Sequence, residues 1–358
     1  MASEQQVLEA LRSVQDPDLR QDIVSLGFVK DLSIQDGRVT FTLMLTTPAC
    51  PVKDEMKQQA EDAVKRLPGV RQVEVEMKSE VRATLDPSGQ NLIPGVRNVV
   101  PVGSGKGGVG KSTVSANLAV SLAQMGARVG LMDADIYGPS IPTILGITDS
   151  PKPGQRGIRP VEAYGVKVIS AGFFIRQDQA VVWRGPMLAK LVDQFLREVE
   201  WGELDYLVVD LPPGTGDVQL TLCQRIPLTG AVIVSTPQDV ALKVAEKAYI
   251  MFQQLKCPIL GLVENMSYYI CRHCGTRENI FDTGGAERAA VRWDVPLLGK
   301  IPLATRIRED SDQGRPVVIA DPASEDAAAF VEIAKNLAAQ ISIRVMREAE
   351  QPLPRITF

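Results

Sequence analysis

Histidine is almost missing from this sequence: the chain has one, His273. Any mechanism that needs a histidine base elsewhere is therefore excluded. Cysteine is scarce too, and five cysteines in 358 residues are too few and too scattered for a disulfide framework. Cys50, Cys223 and Cys257 stand alone, and only Cys271 and Cys274 form a Cys-x-x-Cys pair, with His273 inside it. No apolar run approaches the ~20 residues that a membrane-spanning helix requires. The N-terminal Met-Ala-Ser-Glu-Gln-Gln has neither the basic flank nor the apolar core of a signal peptide. These absences predict a cytoplasmic chain. A one-signed charge excess is also lacking, because 39 basic and 43 acidic residues leave a net charge of −4. Such a balance lacks the broad positive field of a general nucleic-acid binder. Neither nucleic acid nor membrane is an expected partner.

What is present falls into two parts. Residues 4–14 carry apolar side chains at 7, 8, 11 and 14, the spacing of a short amphipathic helix. Strands are predicted over 23–34 and 38–46, joined through Asp36-Gly37, a hairpin signal. A helix over 51–67 has Pro51 in the favoured first position and stops before Pro68-Gly69, and a strand follows over 70–77. The order α-β-β-α-β predicts a small α+β domain within 1–84, followed by a Pro- and Gly-punctuated linker over 85–97. Beyond it, buried strands are expected over 98–103, 127–133, 166–170, 205–210, 230–235, 258–264 and 297–301. Helices are expected between most of them, notably over 111–125, 187–199, 238–255 and 323–346. This alternation predicts an α/β domain over 98–346, a mostly parallel sheet covered by helices on both faces. Residues 347–358 are expected to form a tail.

Within that domain, Asn98-Val-Val-Pro-Val-Gly-Ser runs straight into Gly105, Lys106, Gly107, Gly108, Val109, Gly110, Lys111, Ser112 and Thr113, and a helix begins there. Strand, glycine-rich loop and helix in this order predict a phosphate-binding P-loop for ATP. Glycines let backbone N–H groups turn inward around phosphates, and the helix N-terminus adds its positive end. Lys111 is expected to bridge the β- and γ-phosphates, and Ser112 to supply an oxygen to Mg²⁺. Acidic residues at strand ends fall where an open α/β sheet holds its ligand. Asp210 is assigned to the metal's outer shell, Asp133 to the metal side of a first switch and Asp135 to orienting the attacking water. The segment Gly214-Thr215-Gly216-Asp217 is a candidate γ-phosphate sensor.

Lys106 gives the loop a second, early lysine. In this it resembles the deviant Walker A class, Lys-Gly-Gly-x-Gly-Lys-[Ser/Thr], which includes MinD, ParA and nitrogenase iron proteins. In that class the early lysine reaches the nucleotide of a partner subunit, which for Lys106 implies a catalytic role in a nucleotide-sandwich homodimer.

Cys271-Arg-His-Cys274-Gly can place two thiolates on one metal or cluster, or act as a redox dithiol. Two thiolates are half of a four-cysteine site. The rest could come from a second chain, from Cys50, Cys223 or Cys257, or from His273.

Several segments occur together in one order: 106–113, Asp133-Ala-Asp135-Ile-Tyr-Gly-Pro-Ser140, Asp210-Leu-Pro-Pro-Gly-Thr-Gly-Asp217, Asn265-Met266-Ser267, the cysteine pair, Ile280-Phe281, Gly284-Gly285 and Leu298-Gly299-x-Ile301-Pro302-Leu303. Together they closely resemble the Mrp/ApbC family of iron–sulfur cluster carrier ATPases over about 98–340. The leading domain, with Thr46-Thr47-Pro48-Ala49-Cys50-Pro51, looks like a MIP18 (DUF59) domain. The resemblance implies a P-loop ATPase whose [4Fe–4S] cluster bridges two subunits through Cys271 and Cys274 of each. It implies iron–sulfur scaffold proteins and recipient apoproteins as partners. Asn265 is similar to the residue that contacts adenine in this class, and Pro302 is expected beside the base. Asp282 departs from the glycine that many members carry after the Phe. Cys50, placed before an expected helix start, is a candidate thiolate for receiving or handing over iron–sulfur species, or else a small buried residue. Two other readings are a positioning ATPase of the MinD/ParA kind, which would need a basic amphipathic last helix, and a regulatory ATPase with structural zinc.

Overall fold

A computed structural model describes residues 2–84, 93–174, 185–216, 219–220, 224, 228–271 and 273–350. The chain opens with α1 (Glu4–Leu11), whose N-terminus is closed by a reciprocal capping box between Ser3 and Gln6. Strands β1 (Val29–Gln35) and β2 (Arg38–Leu45) form the anticipated hairpin, with both turn residues, Asp36 and Gly37, at positive φ. The first strand was expected from residue 23. Instead the Asp22 carboxylate accepts the amides of Val24 and Ser25 and bends the chain into a turn. Helix α2 (Lys53–Lys65) buries Met56, Ala60 and Val64, and β3 (Gln72–Ser79) pairs parallel to β2. Pro51 is not the first helical residue as expected: Val52 is the N-cap, and Pro51 lies in the turn before it.

The second part is built on β4 (Val96–Ser104), β5 (Val129–Asp133), β6 (Val161–Ala163), β7 (Val166–Ser170), β8 (Leu204–Asp210), β9 (Ala231–Ser235) and β10 (Ile259–Glu264). A small hairpin of β11 (Tyr269–Ile270) and β12 (Arg277–Glu278) leads on to β13 (Leu297–Lys300). The main sheet runs β6-β7-β5-β8-β4-β9-β10-β13, parallel throughout except for the edge pair β6–β7. Among the described residues its longer helices are α3 (Lys111–Gln124), α4 (Gly185–Arg197), α5 (Asp239–Gln254), α6 (Gly285–Trp293), α7 (Thr305–Asp312) and α8 (Glu325–Glu350). Alternate residues of the central strands serve opposite faces. Val100, Val102 and Val208 pack with α3 and α8, whereas Val99, Leu207 and Val209 pack with α4, α5 and α6. Strands covered on both sides can be apolar at every position, which is why they read as continuous runs.

Helix α8 runs past its expected end at 346 to Glu350, because Val345 and Met346 are still buried and Arg344 pairs with Glu348 one turn on. Residues 351–358 and 85–92 lie outside the described residues. The apolar stripe of α8, Ala334, Leu337, Ala338, Ile341 and Val345, is spent on the core. The α+β unit packs on the amino edge of the sheet. There the hydroxyls of Thr47 and Tyr206 meet at 3.0 Å, and Asn98 donates to the Arg82 carbonyl at 2.9 Å. The carboxyl edge, on the other side, carries the phosphate loop.

Candidate functional site

Strand β4 ends at Ser104 and α3 starts at Lys111, so the loop over 105–110 has to turn the chain from strand to helix. Gly108 and Gly110 take positive φ, and at Gly110 a side chain would also collide with the Asn265 amide. Around Gly108 there is open space, and a side chain at Gly107 would touch only the Pro213 ring at 3.9 Å, which leaves room for a phosphate group. Residues Lys106 to Thr113 line a cavity of about 540 Å³ together with Asp135, Asn265, Met266 and Pro302. Gly105 does not line it. Its lack of a side chain lets the loop pass against the Val244 backbone of α5.

Lys111 is buried, with its ammonium 2.7 Å from Asp210 and 3.6 Å from Asp135. The hydroxyls of Ser112 and Ser115 each donate to Asp210 at 2.6 Å. Asp133 and Asp210 are register partners of the parallel β5–β8 pair, which sets two carboxylates side by side. Asp133 accepts the amides of Asp135 at 3.1 Å and Ile141 at 3.3 Å, and the Ser170 hydroxyl at 2.8 Å. Burial, and then the charge of Asp210, push its carboxyl up to about 8. Burial also raises Asp135, against the opposing pull of Lys111. Asp135 faces the cavity, whereas Asp133 and Asp210 stand behind it. Of the segment after Asp210, Asp217 lies outside the described residues.

Asn265 closes the other side of the loop. Its amide donates to the Val109 carbonyl at 2.8 Å, and its own oxygen accepts the Met266 amide at 2.9 Å. Pro302 lines the same end of the cavity. Past Asn265 the chain leaves the sheet as the β11–β12 hairpin, whose turn holds Cys271 and Cys274. Cys271 is half-buried and Cys274 exposed. The Thr276 hydroxyl, 3.2 Å from the Cys274 sulfur, and then the Thr276 amide hold that thiol below its ordinary range. Among the described residues no three His, Cys, Asp or Glu side chains gather as a metal site. Cys50 and Cys257 are therefore not companions of the pair, and Cys223 lies outside the described residues. Cys50 is also no ready thiolate: burial pushes its thiol up to about 11, outweighing the Val52 amide. Asp282, at a φ of 135°, keeps its place by accepting the Thr283 amide and facing Arg288.

Residues 95–338 match a family described as NUBPL iron-transfer P-loop NTPase, and residues 4–77 match one described as an iron–sulfur cluster assembly protein. The chain belongs to the iron-transfer P-loop NTPase family. An iron–sulfur cluster carrier protein of Synechocystis sp. is 48% identical over 346 residues, 95% of this chain and 98% of the relative. A nucleotide-binding protein of Archaeoglobus fulgidus, solved in complex with ADP, is 41% identical with a TM-score of 0.58, covering 66% of this chain and 92% of that one. The septum site-determining protein MinD of Pyrococcus horikoshii, solved with Mg-ADP, is 26% identical with a TM-score of 0.51, over 66% of this chain and 94% of that one.

For a member of the iron-transfer NTPases the donor types fit their ligands. Backbone amides and a lysine suit phosphate, the oxygens of Ser112 and the carboxylates suit a hard cation, and the thiols suit iron. Ser115, which no motif marks, stands one helical turn after Lys111 and faces Asp210 with it. Ser170 and Glu264 are marked in the sequence only by their places at the ends of β7 and β10.

Proposed function

We propose that this chain is a cytoplasmic, ATP-hydrolysing carrier that holds a [4Fe–4S] cluster between two copies of itself. It takes the cluster from scaffold proteins and hands it to apoproteins. The reading rests on one observation: the cysteine hairpin leaves the same sheet edge as the phosphate loop, with two thiols and no third protein ligand among the described residues. A second copy then supplies the missing half. Lys106, Tyr137 and Ile280 are exposed on the elements of that edge, which offers a face for the partner.

In this reading Lys106 to Thr113 hold the ATP phosphates, with Gly105 giving the loop its passage against α5 rather than a phosphate contact; Lys111 neutralises charge on the transferred phosphoryl group, and Lys106 reaches the partner's nucleotide. Mg²⁺ would be held through Ser112 with Asp210 behind it, and its positive charge would favour ionised Asp133. Asp135 orients the water. Asn265 and Pro302 flank the adenine. The unit over 1–84 would dock donors or recipients; the expected linker over 85–97 is cut short by β4, which starts at Val96, and the expected tail from 347 by α8, which runs to Glu350.

Anaerobic purification followed by visible spectroscopy and metal analysis tests this. The expected result is a reducible visible absorption, with equal iron and sulfide at one cluster per pair of chains. Cys271→Ala with Cys274→Ala abolishes it while ATP affinity persists. A colourless, zinc-replete dimer that accepts no cluster on reconstitution overturns the reading.

A further inference from the structure

Glu264 is fully buried at the end of β10, and the sequence pattern assigns it no role. Its two carboxylate oxygens do different things. Oε1 accepts the Ser267 hydroxyl at 2.5 Å, and Oε2 accepts the Ala286 amide in the first turn of α6 at 2.8 Å. Everything between these two partners, residues 268–285, is the excursion that carries Cys271 and Cys274. One carboxylate thus grips both ends of the cysteine loop. The helix dipole of α6 favours the charge there, and Gly285 makes the approach feasible, since a side chain on it would strike the Pro237 carbonyl.

The next residue, Asn265, donates to the phosphate-loop carbonyl of Val109, and its amide donates to Ser235 at the end of β9 at 2.8 Å. The Glu264 carbonyl accepts the Ile301 amide at 2.9 Å, and two residues on, at the cavity wall, the Leu303 amide donates to the Tyr268 carbonyl at 2.7 Å. Nucleotide-facing and cysteine-facing contacts therefore meet on adjacent residues of one rigid strand end. We infer that Glu264 is the positioning residue through which nucleotide binding moves the cysteine loop. Because both loop ends share one anchor, displacement of the Val109–Asn265 contact tilts the hairpin as a unit. The inference rests on reading Cys271 and Cys274 as the cargo ligands, but its test does not require cargo.

The test uses full-length, cluster-free protein. The alkylation rate of Cys274 by iodoacetamide is read by peptide mass spectrometry, with and without a non-hydrolysable MgATP analogue. In the wild type the analogue changes this rate by about fivefold or more, the size of a modest coupling between sites. Glu264→Ala abolishes the change while binding the analogue with wild-type affinity. Glu264→Gln retains it, because glutamine can accept from the Ala286 amide and donate to the Ser267 oxygen. A wild type without response, or a Glu264→Ala protein that responds like wild type, overturns the inference. If Glu264→Ala does not fold, Ser267→Ala removes one of the two grips: a diminished response supports the inference and an unchanged one overturns it. Failure of the cluster reading shows separately, in the visible spectrum of the purified dimer.

Discussion

Lys111 and Lys106 stand five residues apart in one loop, and their surroundings assign them opposite kinds of importance. Lys111 is buried between Asp210 and Asp135, so removing it strips a buried carboxylate of its cation. Lys111→Ala should destabilise the nucleotide-free protein by about 3 kcal/mol, the cost of breaking a buried pair, as well as abolish ATP binding. Lys106 is exposed and has no ion pair among the described residues. Lys106→Ala should leave the denaturation midpoint within the range of ordinary surface substitutions, about 0.5 kcal/mol. Under its proposed role at the partner's nucleotide, the substitution should nevertheless cut ATP turnover by ~100-fold or more, as loss of a group aimed at transition-state charge does. Equal destabilisation by the two substitutions in urea denaturation would contradict this division. The cysteines separate in the same way. In cluster-free protein Cys274 ionises below the usual thiol range, and Cys50, pushed up to about 11, stays neutral. Since only the thiolate reacts, at about pH 8 iodoacetamide should label Cys274 and leave Cys50 intact until the protein unfolds. Labelling of Cys50 in the folded protein at that pH would show its turn to be open.

Elements carry the next level of specification. The main strands were legible because burial on both faces demands unbroken apolar runs, as in Leu207-Val208-Val209. The phosphate loop was legible because its glycines are conformational necessities. Gly110 combines a φ of 81° with contact against the Asn265 amide, so Gly110→Ala meets backbone strain and a collision together. We expect it to cost at least the ~1–2 kcal/mol of a left-handed residue and to lower ATP affinity; calorimetry and nucleotide titration check both. Edge strand β6 was not anticipated, although Tyr164 and Gly165, both at positive φ, close its hairpin. Three residues hold too little pattern to declare a strand. The turn at Asp22 was hidden for a different reason: a single side-chain carboxylate overrides an apolar stretch that alone reads as extended. Glu264 could be seen in the sequence only as one acid among many. Its meaning comes from the approach of α6 to the end of β10, which no local spacing reveals.

At the scale of the whole molecule, β8 links two chemistries. It ends at Asp210 beneath the phosphate loop, and near its start Tyr206 is buried against the α+β unit. Ala49 and Val81 of that unit join the core around α3 and α8, and Met346 of α8 joins the core of the α+β unit. The two units are thus packed through exchanged apolar side chains, with Thr47–Tyr206 as a buried polar contact between them. The Thr47 oxygen also accepts the Ala49 amide at 3.1 Å, so it retains one partner when Tyr206 loses its hydroxyl. Tyr206→Phe should therefore cost only about 1 kcal/mol. Thr47→Val preserves shape but leaves the Tyr206 hydroxyl buried without its partner, and should cost up to ~3 kcal/mol. The double variant removes both groups and should cost less than the two together, with a coupling of about 1 kcal/mol. Urea denaturation of the four proteins measures this. Additive losses would mean that the hydroxyls do not meet in solution and that the α+β unit is tethered to the ATPase rather than packed on it. A coupling of the expected size would make the unit part of the ATPase's own fold, fixed at the end of the strand opposite the nucleotide.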